Sequence, residues 1–224
     1  DNIRVNDFTK TGTITATNDS PTNDANNGYG NHMQISPLIR TDSDITLSNG
    51  NLSWIQAEGN WRFTGGSMVL PDSGIIEWQI TVDAIGSGAM IGIVDQNTDF
   101  TGENVHSNST SQGVYSSGTA SAIFNNGSDV QTGLTVWTTN NKVIFSCNID
   151  ASTFKVFVDT GSGFSQHGTT LTSVDFSNKI AFFSGLGSFQ GTLDSGQNGF
   201  TVQDGTHFGT QNLPTPAIIN PEEH

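Results

Sequence analysis

Few residues in this chain have the types and spacing that chemistry needs. Retaining glycoside hydrolysis requires two carboxylates about 5 Å apart, and the chain has five glutamates: Glu58, Glu77, Glu103, Glu222 and Glu223. Glu77 and Asp83 are the nearest pair, and on one strand that spacing sets them at opposite ends. There is no GxSxG elbow, no GxGxxG after a strand, no P-loop and no HExxH, so acyl-transfer, nucleotide and zinc-protease chemistries lack their residues. Asp95, Asp99 and Glu103 recur at four-residue intervals with Asn97 and Thr101 between them, and hard oxygen ligands in a loop suit Ca²⁺. Their spacing matches no defined calcium loop, and so acidic a chain places carboxylates in many loops. No cofactor is therefore expected, Ca²⁺ being the one candidate. His32, His106, His167, His207 and His224 are scattered without ligand spacing and read as solvated or capping residues. Trp54 and Trp61, with Phe63, are candidates for an aromatic carbohydrate platform, although aromatics near strand starts also fill sandwich cores.

These residues need a scaffold, and composition limits what it can be. Seven Lys+Arg against 21 Asp+Glu give a net charge of −14, which repels phosphates and excludes nucleic acid as a partner. Hydrophobic residues are 33% of the chain, below the roughly 45–50% of ordinary domains, and Gly, Ser, Thr and Asn make up nearly half of it. The 14 Phe and 4 Trp supply the burial that a disordered chain lacks. One cysteine, Cys147, excludes an internal disulfide or a CxxC knuckle. No stretch approaches the ~18 apolar residues of a membrane span, and no basic-then-apolar signal segment opens the chain. The start at Asp1 and the end at Asn220–His224 read as cuts within a longer polypeptide.

Periodicity supplies the elements. Residues 1–50 are polar and turn-rich, with only Thr11–Thr17 strand-like. Ile76, Trp78, Ile80 and Val82 alternate with polar neighbours, the period of a strand with one buried face. Ala89–Val94 is a short apolar run, Asp95–Ser117 a polar loop, and Ala122–Phe124 a strand closed by the Asn125-Asn126-Gly127 turn. Val143, Phe145, Cys147 and Ile149, then Phe154, Val156 and Val158, predict two strands joined through Asp150-Ala151-Ser152 as an antiparallel hairpin. Cys147 thus falls on an apolar face and reads as a small buried hydrophobe. Ile180–Phe183 and Phe200–Val202 complete the strands, between turns containing Gly161, Gly163, Gly185, Gly187, Gly196 and Gly199. No helical spacing occurs, so the expectation is an all-β antiparallel sandwich or barrel.

The order Ser73–Val82, Met90–Val94, Val143–Asn148 and Ile149–Val158 resembles a SPRY domain. That family runs through a Gly-initiated aromatic strand, an "IGV" strand, a strand ending in an Asp-x-x-x-x-Thr turn and an "FYVNG" strand. Here the last reads Phe157-Val158-Asp159-Thr160-Gly161, and Asn198–Val202 matches the closing aromatic strand. Asn18–Asn23, Asn31–Leu38, Leu47–Leu52 and Gly209–Ile218 resemble the flanks of SPRY-type modules in large bacteriophage structural proteins.

The resemblance implies a SPRY/concanavalin-like jelly roll with a polar lead-in over 1–50 packed on it, a core over 51–203, and a Pro-rich exit linker or arm over 204–224. It implies a non-enzymatic virion protein, either capsid decoration or head fibre or tail fibre, acting in assembly or host attachment at the particle surface. Its partners would be other virion proteins, in homo-oligomers or repeated copies, and a host surface glycan or protein, with no membrane insertion. The contact loops would be Asp95–Ser117 and Gly161–Thr170. The alternative is a glycan-binding or glycan-cleaving sandwich domain of a secreted bacterial protein.

Overall fold

The computed structural model describes residues 32–40, 45–56, 59–100 and 105–208. In chain order the strands are β1 (Ile35–Arg40), β2 (Ile45–Ser48), β3 (Ser53–Gln56), β4 (Arg62–Val69), β5 (Ile75–Ile85), β6 (Gly88–Asp95), β7 (Gln112–Ser116) and β8 (Ser121–Asn125). They continue with β9 (Ser128–Thr132), β10 (Lys142–Asn148), β11 (Thr153–Asp159), β12 (Phe164–Gln166), β13 (Leu171–Thr172), β14 (Lys179–Leu186), β15 (Phe189–Asp194) and β16 (Thr206–His207). Among the described residues the one helical element is a 3₁₀ turn, Val105–Ser107.

Two sheets stack face to face. One runs β1-β4-β14-β6-β7-β8-β9; the other runs β12-β11-β10-β5-β15-β3-β2, with β13 beside β11 and β16 beside β5. Strands β10 and β11 form the expected antiparallel hairpin, and β5 pairs antiparallel with β10 on its other side, so that Phe145 lies opposite both Trp78 and Val156. The ring planes of Trp78 and Phe145 stack at 5.4 Å and 18°. Ile76, Trp78, Ile80, Val82, Val143, Phe145, Cys147, Phe154, Val156 and Val158 share one core cluster with Ile91, Ile93, Ala181 and Phe183 of the facing sheet, and Ile149 packs on its edge. The β8–β9 hairpin turns at Asn126 and Gly127, with φ of 50° and 82°, the left-handed pair that a tight hairpin requires.

Trp54 also belongs to this core. Its rings lie 4.9 Å from Phe183 and 5.4 Å from Phe189, and Gly191 opposite it leaves the necessary room: a Cβ there would meet Trp54 at 2.5 Å. Gly185, expected in a turn, likewise sits in β14, where a Cβ would lie 2.3 Å from that of Phe189.

Several expectations need correction. Phe200–Val202 is not a strand; the chain after β15 loops out and returns as β16, parallel to β5 at Ile76 and Glu77, where β15 no longer covers that edge. Residues 204–208, expected in the exit arm, therefore belong to the sandwich, and Phe208 is buried against Trp78. β1 and β2 fall within the lead-in and extend the two sheets; their alternation is too short to register in sequence. Asp95–Ser117 is not simply a loop, since it contains the 3₁₀ turn and β7. Thr11–Thr17 and the prolines Pro214, Pro216 and Pro221 lie outside the described residues.

The two sheets are also tied through His167. Its backbone N–H donates to Val156 in one sheet, and its ring Nε2 lies 3.0 Å from Ser121 Oγ in the other. The Ser121 hydroxyl proton goes to the Tyr115 carbonyl at 2.8 Å, so the ring Nε2–H donates to Ser121. Burial holds the His167 pKa below its ordinary value. A histidine depressed in this way stabilises the fold while neutral, fully above its unfolded value of about 6.5, and loses that contribution as pH falls through the folded value.

Two outcomes follow from this packing. Trp78→Ala should lower unfolding free energy by about 3–5 kcal/mol, read by denaturant titration; a midpoint equal to the parent's would contradict the core assignment. The stability advantage of the parent over His167→Gln should shrink between pH 7.5 and pH 5, read as the difference between two melting series. An advantage independent of pH would contradict the buried neutral ring.

Candidate functional site

The seven-stranded sheet buries apolar side chains on both faces. Along β6, Ala89, Ile91 and Ile93 face the main core, while Met90 and Val94 join Phe63, Val105, Phe124, Ile180 and Phe182 in a second cluster on the far face. The chain after β6 roofs that cluster: Phe100 stacks on Phe63 at 4.6 Å, and Phe63 on Phe182 at 5.3 Å. Val105, in the 3₁₀ turn, is fully buried. Lys179, buried at the start of β14, donates its ammonium to the Thr110 carbonyl and anchors the roof. Burial pulls its pKa down, with Asp175 and Asp95 opposing.

At the edge of this roof a cavity of about 250 Å³ is lined by Trp61, Met90, His106, Tyr115 and Asp129. Each wall has a distinct origin. Trp61 immediately precedes β4, Met90 and Tyr115 are cross-strand partners on β6 and β7, and Asp129 lies on edge strand β9. His106 comes from the 3₁₀ turn. Trp61 and Tyr115 are half-buried with ring centroids 6.3 Å apart and planes at 52°, forming a corner rather than a stack. His106 Nε2 is 2.7 Å from Asp129 Oδ1, and both side chains keep solvent contact, 27% and 41% exposed. The His106 ring also packs on Phe124 at 5.2 Å, which fixes its plane. The pair has the geometry of a base and its orienting carboxylate, but the lining holds no serine, threonine or cysteine for it to activate.

Two smaller cavities are more polar. One of about 160 Å³, on the far face of the nine-stranded sheet, lies between Ile75, Ser146, Asn148, Thr153, Lys155 and Asp204 and is closed by the Lys155–Asp204 ion pair at 2.9 Å. The other, about 230 Å³, includes Asp72, Ser152, Asp175 and Ser177; the Asp175 carboxylate is held by the hydroxyl and amide of Ser177, which lower its pKa.

No protein-family model matches the chain, and no curated protein matches it. Solved structures do. The SPRY domain of human HERC1 superposes with a TM-score of 0.57 at 14% identity, covering 71% of this chain and 96% of that one. The TRIM65 PSpry domain gives 0.59 at 10% identity, over 73% and 92% of the two chains. Stonustoxin gives 0.57 at 14% identity over 73% of this chain and 27% of its own. The fold is of the SPRY type.

Within this SPRY-type sandwich the sequence-predicted site residues separate. Trp54 is 1% exposed and Phe63 is 2% exposed, so neither offers a face to a ligand; their rings fill the two clusters. Trp61, by contrast, lines the aromatic cavity. Asp95 turns its carboxylate onto the N–H of Asn97 at 2.8 Å, the self-capping of an acidic turn. Asp99 is exposed, and Glu103 lies outside the described residues; no cluster of metal-ligating side chains occurs among the described residues. Met90, His106, Tyr115 and Asp129 carry no joint signal in sequence, because the wall is assembled from different strands and a turn.

The glutamate considered for catalysis is consumed by structure. Glu77 is fully buried, and its carboxylate accepts three backbone N–H groups: Gln203 at 2.7 Å on Oε2, then Asp204 at 2.7 Å and Gly205 at 3.1 Å on Oε1. Asp83 lies six residues along β5 and is bonded to Thr192 Oγ1 at 2.8 Å. The two stand roughly 20 Å apart along the strand, far from either glycosidase separation. The three donors also explain why residues 203–205 form no ladder.

Glu77→Gln keeps the shape but sets an amide N–H against a backbone N–H. It should cost about 1–3 kcal/mol and speed amide exchange at Gln203, Asp204 and Gly205 first. Unchanged exchange at those three amides would contradict the clamp.

Proposed function

We propose that the chain is a non-catalytic binding module of a bacteriophage particle, a capsid-decoration, head-fibre or tail-fibre component used in assembly or host attachment. The observation that carries the non-catalytic part is the fate of the carboxylates. Glu77 clamps the return of the chain, Asp83 sits at the other end of the strand, and the aromatic cavity offers a surface without a nucleophile. The virion setting rests on the flanks Asn18–Asn23, Asn31–Leu38 and Gly209–Ile218, and the SPRY-type fold agrees with the module that those flanks bracket. The net charge of −14 keeps copies soluble and apart until specific contacts form. Repetition on a particle then converts weak individual contacts into firm attachment. Partners on this reading are other virion proteins, further copies of the chain and a surface glycan or protein of the host.

The test incubates the purified protein with bacterial envelope glycans and follows both retention and reducing-end release, alongside immunolabelling of particles. Retention without release, with label on the particle surface, is expected. Release abolished by Asp83→Asn or Asp129→Asn would contradict the reading and favour a glycan-cleaving enzyme.

A further inference from the structure

We propose, building on the attachment reading, that the Trp61–Tyr115 corner is a binding site for a single neutral sugar ring. A cavity of about 250 Å³ lies below the roughly 300–1,000 Å³ of sites for drug-sized ligands, which suits one small ring. A pyranose has an apolar face of C–H groups and an edge of hydroxyls, and the cavity has the same division. The half-exposed rings, 6.3 Å apart and inclined by 52°, give one aromatic face to the C–H side while the second closes the corner. Both rings also carry a polar tip, an indole N–H and a phenol O–H, that reaches hydroxyls where the apolar body cannot.

The polar edge is supplied by Asp129. His106 occupies Oδ1, leaving the second oxygen for an incoming hydroxyl, a charge-assisted bond stronger than a neutral one. That carboxylate, within a chain of net charge −14, selects against acidic sugars. The walls are pre-organised. Met90 and Tyr115 are locked in facing strands, and both aromatic rings pack over Gly88, where a Cβ would lie 3.3 Å from Tyr115 and 3.4 Å from Trp61. Little ordering remains to be done on binding.

The chain has its own reporter. Of the 4 tryptophans, Trp54, Trp78 and Trp137 are 1%, 0% and 0% exposed, so an aqueous quencher reaches Trp61. Acrylamide quenching would be followed with the methyl glycosides of glucose, galactose, mannose and N-acetylglucosamine, and with glucuronate. At least one neutral glycoside should protect the fluorescence and glucuronate should not. Asp129→Ala, a change at an exposed position, should keep the parent melting temperature and weaken protection roughly tenfold or more. Trp61→Phe should remove the quenchable component.

The sugar assignment is overturned if none of the four protects, if Asp129→Ala protects equally well, or if an apolar tripeptide protects in their place. Retention on envelope material without glycoside protection would remove this site and leave the module reading standing. Protection without retention would keep the site and remove the attachment role.

Discussion

Strand β6 is buried on both sides, and the arrangement of the site follows from that. One face of the seven-stranded sheet meets the other sheet; the second would leave Phe63, Met90, Phe124 and Phe182 in water. Burying each is worth ~1.5–3 kcal/mol, enough to hold the connection after β6 across the sheet as a roof. Phe100 and Val105 are the apolar contacts of that roof, and the Lys179 ammonium on the Thr110 carbonyl is its anchor. The 3₁₀ turn that delivers Val105 to the cluster necessarily presents the next residue, His106, at the rim, where Asp129 on the edge strand meets it. The cavity is thus a by-product of roofing a two-faced sheet: its aromatic corner is where the roof stops.

A second constraint acts on the opposite sheet. β15 leaves β5 uncovered beyond Gln79, and β16 occupies that edge in parallel. The buried Glu77 carboxylate organises the return, because three amide donors converge on it and a buried charge is tolerated only when so satisfied. In sequence, a glutamate in the middle of an aromatic strand is ambiguous between catalysis and structure; its three backbone partners resolve it in favour of structure.

The sandwich was legible where alternation was long. Trp78 to Val82 and Val143 to Val158 carry a two-residue period over enough positions to set the buried face, and the Asn126-Gly127 hairpin announces itself through residues that tolerate positive φ. Strands buried on both faces lose the alternation that would reveal them. β4, with Phe63-Thr64-Gly65-Gly66 buried in succession, carries no two-residue period, and β15 is short, with Gly191 yielding its place to Trp54. Parallel pairing of β16 with a strand some 130 residues earlier has no local signature at all. The site was legible only at Trp61, since its other walls come together through sheet order. Trp54 was open in sequence between ligand platform and core filler, because one residue type serves both; its burial beside Gly191 assigns it to the core.

The most direct test is hydroxyl-radical footprinting of the protein free and while held on bacterial envelope glycans, the partner proposed for it. Trp61, Tyr115 and His106 belong to one wall and should lose reactivity together on attachment, while residues on the far face of the nine-stranded sheet, such as Lys155 and Thr153, keep theirs. Protection of that opposite face with the Trp61 corner still fully reactive would contradict the account.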